Sequence, residues 1–139
     1  MKFQRFLPHP RLRPFVSFYW MLEPDYRLVT PYRLVPGIGC DIIFQIGPHA
    51  EYKFASSPWQ KRTPQGFVEG VFREHFLLQF AGPSVLAGIR FTSTGLYPFV
   101  KSPLKEFSQQ FVDLIDVFGK KGEEAIVRFE ELNHAGRRG

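Results

Sequence analysis

Three charged residues lie inside stretches of sequence that are otherwise largely apolar. Asp41, Glu69 and Arg90 sit among apolar neighbours in segments that favour strands. A charged group on a strand either faces water or points inward, and an inward charge must be paired or must bind something. Large aromatic side chains either fill the core or line such a site. The sequence therefore predicts a ligand pocket built from six residues: Trp20, Asp41, Phe44, Glu69, Arg90 and Tyr97.

Residue patterns typical of metal or nucleophilic catalysis are missing from the sequence. Its four histidines lie far apart, without the close spacing that a metal site uses: His9, His49, His75 and His134. Neither a Gly-x-Ser-x-Gly motif nor a P-loop occurs. We therefore predict no catalytic residue, no metal and no cofactor.

Cys40 is the single cysteine of the chain, which excludes an internal disulfide and fits a reducing cytoplasm. A cysteine within an apolar strand usually serves as a small core residue. The rival hypothesis, a stand-alone barrel enzyme, would have to draw on dispersed titratable groups, of which Asp41, Glu69, His75 and Arg90 are the candidates.

Length and composition favour one globular domain spanning residues 1–139. The chain has 139 residues, 44% of them apolar, with 16 phenylalanines and 12 prolines. No apolar run approaches the roughly 20 residues that span a bilayer. The formal charge of +5 permits an anionic partner, but the basic residues occur only as scattered pairs, which is also typical of a solvated surface.

Short apolar segments separated by Pro and Gly turns predict about seven strands between residues 8 and 92. The segment Val85 to Phe91 alternates along one face, and the turn Ala81 to Ser84 predicts a hairpin with His75 to Phe80. Ser56 to Gln65 is polar and is predicted to be a loop. This pattern favours a mainly β, α+β fold with a β-barrel or sandwich.

After Gly95 the apolar spacing becomes helical, which predicts a helical tail over residues 95–133. Asp113 is placed to cap a short helix from Leu114 to Phe118 that Gly119 ends. A last helix carries one apolar stripe: Ile126, Phe129 and Leu132. This stripe either packs on the chain's own barrel or forms a homodimer interface.

Two segments resemble the N-terminal domain of AraC-type transcriptional regulators. Leu34 to Phe44 looks like the "Leu-Pro-Asp-Gly-Cys-x-Asp-Leu-Val-Phe" segment of that family. Ala87-Gly88-Ile89-Arg90-Phe91, followed by Gly95, resembles its "Gly-x-Arg-Phe-x-Pro-Gly" segment. The resemblance runs from about Pro8 to Leu132.

The resemblance implies a cupin-like barrel with helices packed outside it and a regulatory, non-catalytic role. Such a domain senses a small-molecule effector or holds a dimer together in the cytoplasm. DNA would be bound only through a C-terminal helix-turn-helix domain, which nothing in this sequence resembles, and no membrane contact is implied. A purely structural dimerisation module with a filled barrel is the alternative within the same family.

Overall fold

Two antiparallel β-sheets form the body of the protein. The computed structural model describes residues 2–27, 31–34, 40–62, 65–100, 104–107 and 110–138. Its described strands, in chain order, are β1 (Lys2–Phe6), β2 (Val16–Glu23), β3 (Tyr32–Leu34), β4 (Asp41–Ile46), β5 (Ala50–Phe54), β6 (Gln60–Arg62), β7 (Gly66–Glu69), β8 (Phe76–Phe80), β9 (Val85–Phe91) and β10 (Phe111–Asp113). The mainly β prediction is confirmed.

The larger sheet has the order β1-β2-β9-β4-β7-β10, and the smaller sheet has the order β3-β8-β5-β6. Apolar side chains from both sheets, among them Ile43, Phe67 and Leu78, form one core between them. In the described part of the chain no strand pairing joins the two sheets, so a closed barrel is not seen.

Strand β4 shows how alternation divides the larger sheet into two faces. Asp41 and Ile43 point towards the smaller sheet, whereas Ile42 and Phe44 belong to a second core on the outer face. Successive side chains of a strand point to opposite faces, so one strand serves both cores.

The outer face of the larger sheet is covered by helical elements. These include α1 (Tyr97–Val100), α2 (Leu114–Phe118) and α3 (Lys120–Arg138). The predicted cap is confirmed, because the carboxylate of Asp113 accepts a hydrogen bond of 2.9 Å from the backbone N–H of Ile115. Gly119 ends α2 with a φ of 62°, a backbone conformation that favours glycine.

Helix α3 packs on the back of β4 and β7 through its apolar stripe. Ile126 is buried against Gly66, where an added Cβ would lie 2.7 Å from the Ile126 side chain. The ring of Phe129 lies 5.3 Å from that of Phe44, centroid to centroid. Leu132 is 57% exposed. Ile126 and Phe129 thus serve the chain's own core, and only Leu132 of the predicted interface offers a largely free side chain.

The predicted hairpin between His75–Phe80 and Val85–Phe91 is wrong. β8 lies between β3 and β5 in the smaller sheet, while β9 lies between β2 and β4 in the larger sheet. The turn at Ala81–Ser84 therefore carries the chain from one sheet to the other. A Gly-Pro turn signals a change of direction, but distant packing decides which strand becomes the neighbour.

Three short strands went unpredicted because they lack apolar alternation over a useful length. β1 precedes the predicted barrel, which begins at about residue 8, and forms one edge of the larger sheet. β6 falls within the segment predicted as a loop and forms an edge of the smaller sheet. β10 falls within the predicted helical tail and forms an edge of the larger sheet. The sequence also predicts a turn at Pro36–Gly39 and a helix cap at Ser102–Pro103, and both segments lie outside the described residues.

Replacing Phe129 by Glu tests where the stripe of α3 packs. We expect Phe129→Glu to lower the free energy of unfolding by about 2 kcal/mol or more, because it places a carboxylate against Phe44. Leu132→Glu is the matched control and should change it by less than about 0.5 kcal/mol. Thermal or urea unfolding with sedimentation on the same samples measures both effects. A Phe129→Glu protein that melts like the parent would contradict this packing.

Candidate functional site

A cavity of about 350 Å³ lies between the two sheets. Its lining comes mostly from apolar and aromatic side chains of both sheets, with four charged groups on the larger sheet and one, Arg62, on the smaller sheet. The lining residues are Phe3, Arg5, Phe18, Trp20, Leu22, Tyr32, Asp41, Ile43, Arg62, Glu69, Gly70, Phe72, Phe76, Leu78, Phe80, Leu86 and Arg90. A concave apolar site with a few polar groups is the usual form of a small-molecule pocket.

The indole of Trp20 lies flat on the larger sheet because its neighbour across the strands is a glycine. Trp20 pairs with Gly88 of β9, and an added Cβ at Gly88 would lie 2.1 Å from the indole. The ring of Phe3 on β1 stacks on the indole at 6.3 Å between centroids. The tryptophan is thereby fixed as one wall of the cavity.

Arg90, Asp41 and Glu69 form a row across three adjacent strands. Asp41 of β4 stands opposite Arg90 of β9 on one side and Glu69 of β7 on the other. The Asp41 carboxylate accepts hydrogen bonds from the Arg90 Nε–H and, at 3.0 Å, from the Trp20 indole N–H. We call these three residues the charge row. It combines an ion pair whose carboxylate is buried with a second carboxyl group.

The two carboxyl groups of the charge row differ in how their charges are compensated. Burial raises the pKa of Asp41, although Arg90 and the two hydrogen bonds oppose this rise. Burial, followed by the nearby charge of Asp41, raises the pKa of Glu69 from 4.5 to about 7, against the opposing effects of Arg62 and Arg90. Glu69 can therefore exchange a proton near neutral pH, whereas Asp41 has fixed partners.

Arg62 is a buried guanidinium at the other edge of the cavity. Its side chain reaches in from β6, donates a hydrogen bond of 2.9 Å to the Gln45 Oε1, and lies over the rings of Phe67 and Phe111 at 4.5 and 5.1 Å. Burial lowers the pKa of Arg62 to about 10, so it remains charged at neutral pH. Within the described part of the chain, its Nε has no hydrogen-bond partner.

Two further guanidinium groups lie over the ring of Phe18. Arg5 of β1 lies 4.3 Å and Arg90 lies 5.7 Å from the Phe18 centroid. Arg5 is exposed and the Arg90 side chain is 40% exposed, whereas Asp41 beneath them is almost completely buried. We call Arg5, Phe18 and Arg90 the mouth of the cavity. It presents positive charge at the end that solvent reaches.

Four of the six residues predicted for the pocket line this cavity: Trp20, Asp41, Glu69 and Arg90. Phe44 does not, because it follows Asp41 by three positions on one strand and therefore points to the opposite face, against Phe129. Tyr97 lies on α1, is 52% exposed, and does not line the cavity either. No ligand contact of these residues has been tested, so their role in binding remains a prediction.

Two charged residues of the site, Arg62 and Arg5, were not predicted from the sequence, and neither were most of its apolar lining residues. Arg62 lies in a polar segment that carries no strand pattern, and no local signal could have placed it inside. Arg5 belongs to Lys2–Phe6, an edge strand on which Phe3 and Arg5 share one face. The two apolar residues of this segment, Phe3 and Phe6, lie on opposite faces, so it carries no alternation that predicts a strand.

The remaining sequence predictions concern single side chains and membrane contact. Cys40 is buried in the outer core, and burial raises the pKa of its thiol. Across the described part of the chain, no group of three His, Cys, Asp or Glu side chains could hold a metal ion. In the same part, none of the helices has the length and apolar character needed to cross a membrane.

Comparison with known proteins shows a family that covers most of the chain. The model of a family described as Domain of unknown function (DUF6597) matches residues 4–113, a range that contains the end of β1 and all of the strands from β2 to β10. No curated protein and no solved structure matches the chain.

The raised pKa of Glu69 predicts a specific pH dependence of stability. Between about pH 4.5 and pH 7 the folded state binds more protons at Glu69 than the unfolded state does, so this group lowers stability as the pH rises. We expect Glu69→Gln to be more stable than the parent by about 2–3 kcal/mol above pH 7 and to lose that advantage towards pH 4. Urea unfolding across this range measures the difference, and a difference independent of pH would contradict the prediction.

Proposed function

The chain belongs to the family described as Domain of unknown function (DUF6597), and we propose that it is a non-catalytic sensor domain that binds a small organic molecule in the cavity between its sheets. The observation that carries this proposal is the cavity itself. About 350 Å³ of space is lined by apolar side chains and bordered by an ordered row of charged groups. Both properties are typical of a ligand pocket.

The cavity favours sensing over a purely structural dimerisation role. A domain that only held two copies together would gain stability from a filled interior, because close packing adds dispersion contacts. This interior instead leaves space beside Trp20 and Arg90. The chain's 16 phenylalanines are enough to fill a core of this size, yet several of them border the space.

The resemblance to AraC-type regulators adds a use for such a pocket. In that proposal the two sheets form a cupin-like arrangement, and the bound effector alters contacts that reach a helix-turn-helix domain joined to this one. Helix α3 is the element suited to report binding, because it packs on the back of β4 and β7, whose front faces carry Asp41 and Glu69. An effector would act only by binding one conformation better than another.

Homodimer formation is part of the same proposal. Of the side chains on α2 and α3, Ile115, Val127 and Leu132 are exposed large apolar groups, at 43%, 47% and 57% of their surface. Exposed apolar groups on a helical surface suit contact with a second copy. Ile126 and Phe129 would support that surface from beneath rather than form it.

Glu69 supports a second candidate function, an enzyme that transfers protons within the cavity. A carboxyl group with a pKa of about 7 that faces a cavity matches the properties of a general acid or base. The two candidates differ in one respect: a sensor returns its ligand unchanged, whereas an enzyme converts it. Product analysis after prolonged incubation with a bound compound separates them, and Glu69→Gln should abolish conversion only in the enzyme.

A variant that obstructs the cavity tests the proposed function. Leu22 lines the cavity and Met21, its neighbour on β2, points to the opposite face and is 38% exposed. Compounds that raise the melting temperature of the parent in a screen of small organic molecules should bind Leu22→Trp at least about tenfold more weakly, because the indole would occupy their space. Met21→Trp is the matched control and should bind them like the parent.

Calorimetry on the parent and both variants gives the affinities. Compounds that bind Leu22→Trp and the parent equally well would place binding outside the cavity and contradict the proposal. A screen that yields no binding compound would contradict it as well.

A further inference from the structure

The charges around the cavity do not balance. Its lining contains three guanidinium groups, from Arg5, Arg62 and Arg90, and two carboxyl groups, from Asp41 and Glu69. Burial raises the pKa of Glu69 to about 7, so its negative charge is incomplete at neutral pH. The site therefore carries excess positive charge in a region of low polarity, where charge is costly unless it is compensated.

The excess is greatest at the mouth. Among the described residues, Arg5 has no carboxylate within salt-bridge distance, and its guanidinium lies over the rings of Phe3 and Phe18. Arg90 uses its Nε–H to bind Asp41, and no acceptor is recorded for its two terminal amino groups in the described part of the chain. Two guanidinium groups over one ring thus keep donors available for an incoming acceptor.

Arg62 adds a second observation at the inner edge. It is 96% buried, its only recorded polar partner is the neutral amide of Gln45, and its Nε–H has no acceptor among the described residues. A buried guanidinium without a contacting carboxylate disfavours a cationic ligand in the same cavity. The field of the site favours a negative charge instead.

The inner wall of the cavity determines the polarity and size of the part of the ligand that lies away from its charged end. Phe76, Leu78 and Phe80 of β8 face Ile43 and Leu86 across the cavity, and none of these five side chains can form a hydrogen bond. A volume of about 350 Å³ is small for a binding site, at the lower end of the roughly 300–1,000 Å³ that ligand pockets occupy. A ligand with a compact apolar body and one polar end fits a cavity that has an apolar inner wall and a charged mouth.

We infer that the ligand is a small monocarboxylic acid whose carboxylate is bound by Arg5 and Arg90 at the mouth and whose apolar, ring-sized body occupies the cavity between Trp20 and β8. This inference rests on the proposed function, since it names the ligand of the same cavity. A carboxylate matches the planar fork of a guanidinium and accepts two hydrogen bonds from it. Its charge also compensates the excess at the site.

Three probes of the same shape test the inference. These are 3-phenylpropionate, the neutral 3-phenylpropanamide and the cationic 3-phenylpropylamine, titrated by calorimetry at pH 7.5 into the full chain. We expect the carboxylate to bind at least about tenfold more tightly than the amide, since hydrogen bonds between charged groups are the stronger ones. The amine should show the weakest binding.

Variants of β1 then locate the carboxylate. Arg5→Gln should weaken binding of 3-phenylpropionate about tenfold and leave the amide unaffected, and Arg5→Lys should restore part of the loss. Lys2→Gln is the matched control, because it removes the same charge from the same strand on the opposite face. It should bind the carboxylate like the parent, and the melting temperatures of all variants check their folding.

Each contrary result identifies what has failed. Preference for the amine or the amide, or equal binding of all three probes, would overturn the monocarboxylate while cavity binding stands. Equal losses in Arg5→Gln and Lys2→Gln, or none, would overturn the position of the carboxylate. Failure of all three probes to bind overturns the inference alone if the compounds from the screen still distinguish Leu22→Trp from Met21→Trp, and overturns the proposed function too if they do not.

Discussion

The hydrogen bonds of the buried Asp41 carboxylate are the interactions on which the larger sheet depends. This carboxylate accepts hydrogen bonds from Arg90 and Trp20, which join β4 to β9 and β2. Removing either partner would leave the Asp41 carboxylate, which is almost completely buried, with less compensation of its charge, so the three strands have one favourable register. A slip of β4 by one residue would turn Asp41 towards the helices and Ile42 into the cavity, and it would leave the Arg90 guanidinium without its carboxylate.

That register gives the larger sheet two working faces. The front carries the charge row and one wall of the cavity, and the back carries the apolar surface on which α3 packs. Neighbouring residues of β4 belong to opposite faces of the sheet. A ligand that displaced Asp41 would therefore also displace Ile42, the next residue, which packs in the outer core. A single layer of β-sheet backbone therefore separates the cavity from helix α3.

Local patterns predicted elements well but predicted neighbours poorly. The strand Val85–Phe91 and the helix Leu114–Phe118, with its Asp113 cap, follow from alternation and capping, which depend on residues close in sequence. The partner of β8 and the burial of Arg62 depend on packing between distant segments, which no local pattern encodes. Alternation could have excluded Phe44 from the pocket, since it cannot share a face with Asp41.

The two walls of the cavity differ in their contacts, and this difference affects how such a domain can change over evolution. The charge row and the helix-bearing surface belong to the larger sheet, whereas β8 contributes Phe76, Leu78 and Phe80, which form no side-chain hydrogen bonds. Exchanges among apolar residues on β8 would reshape the cavity without breaking an ion pair or moving α3. Under the proposed function, related sequences would acquire new ligand preferences through one strand while the larger sheet keeps the fold.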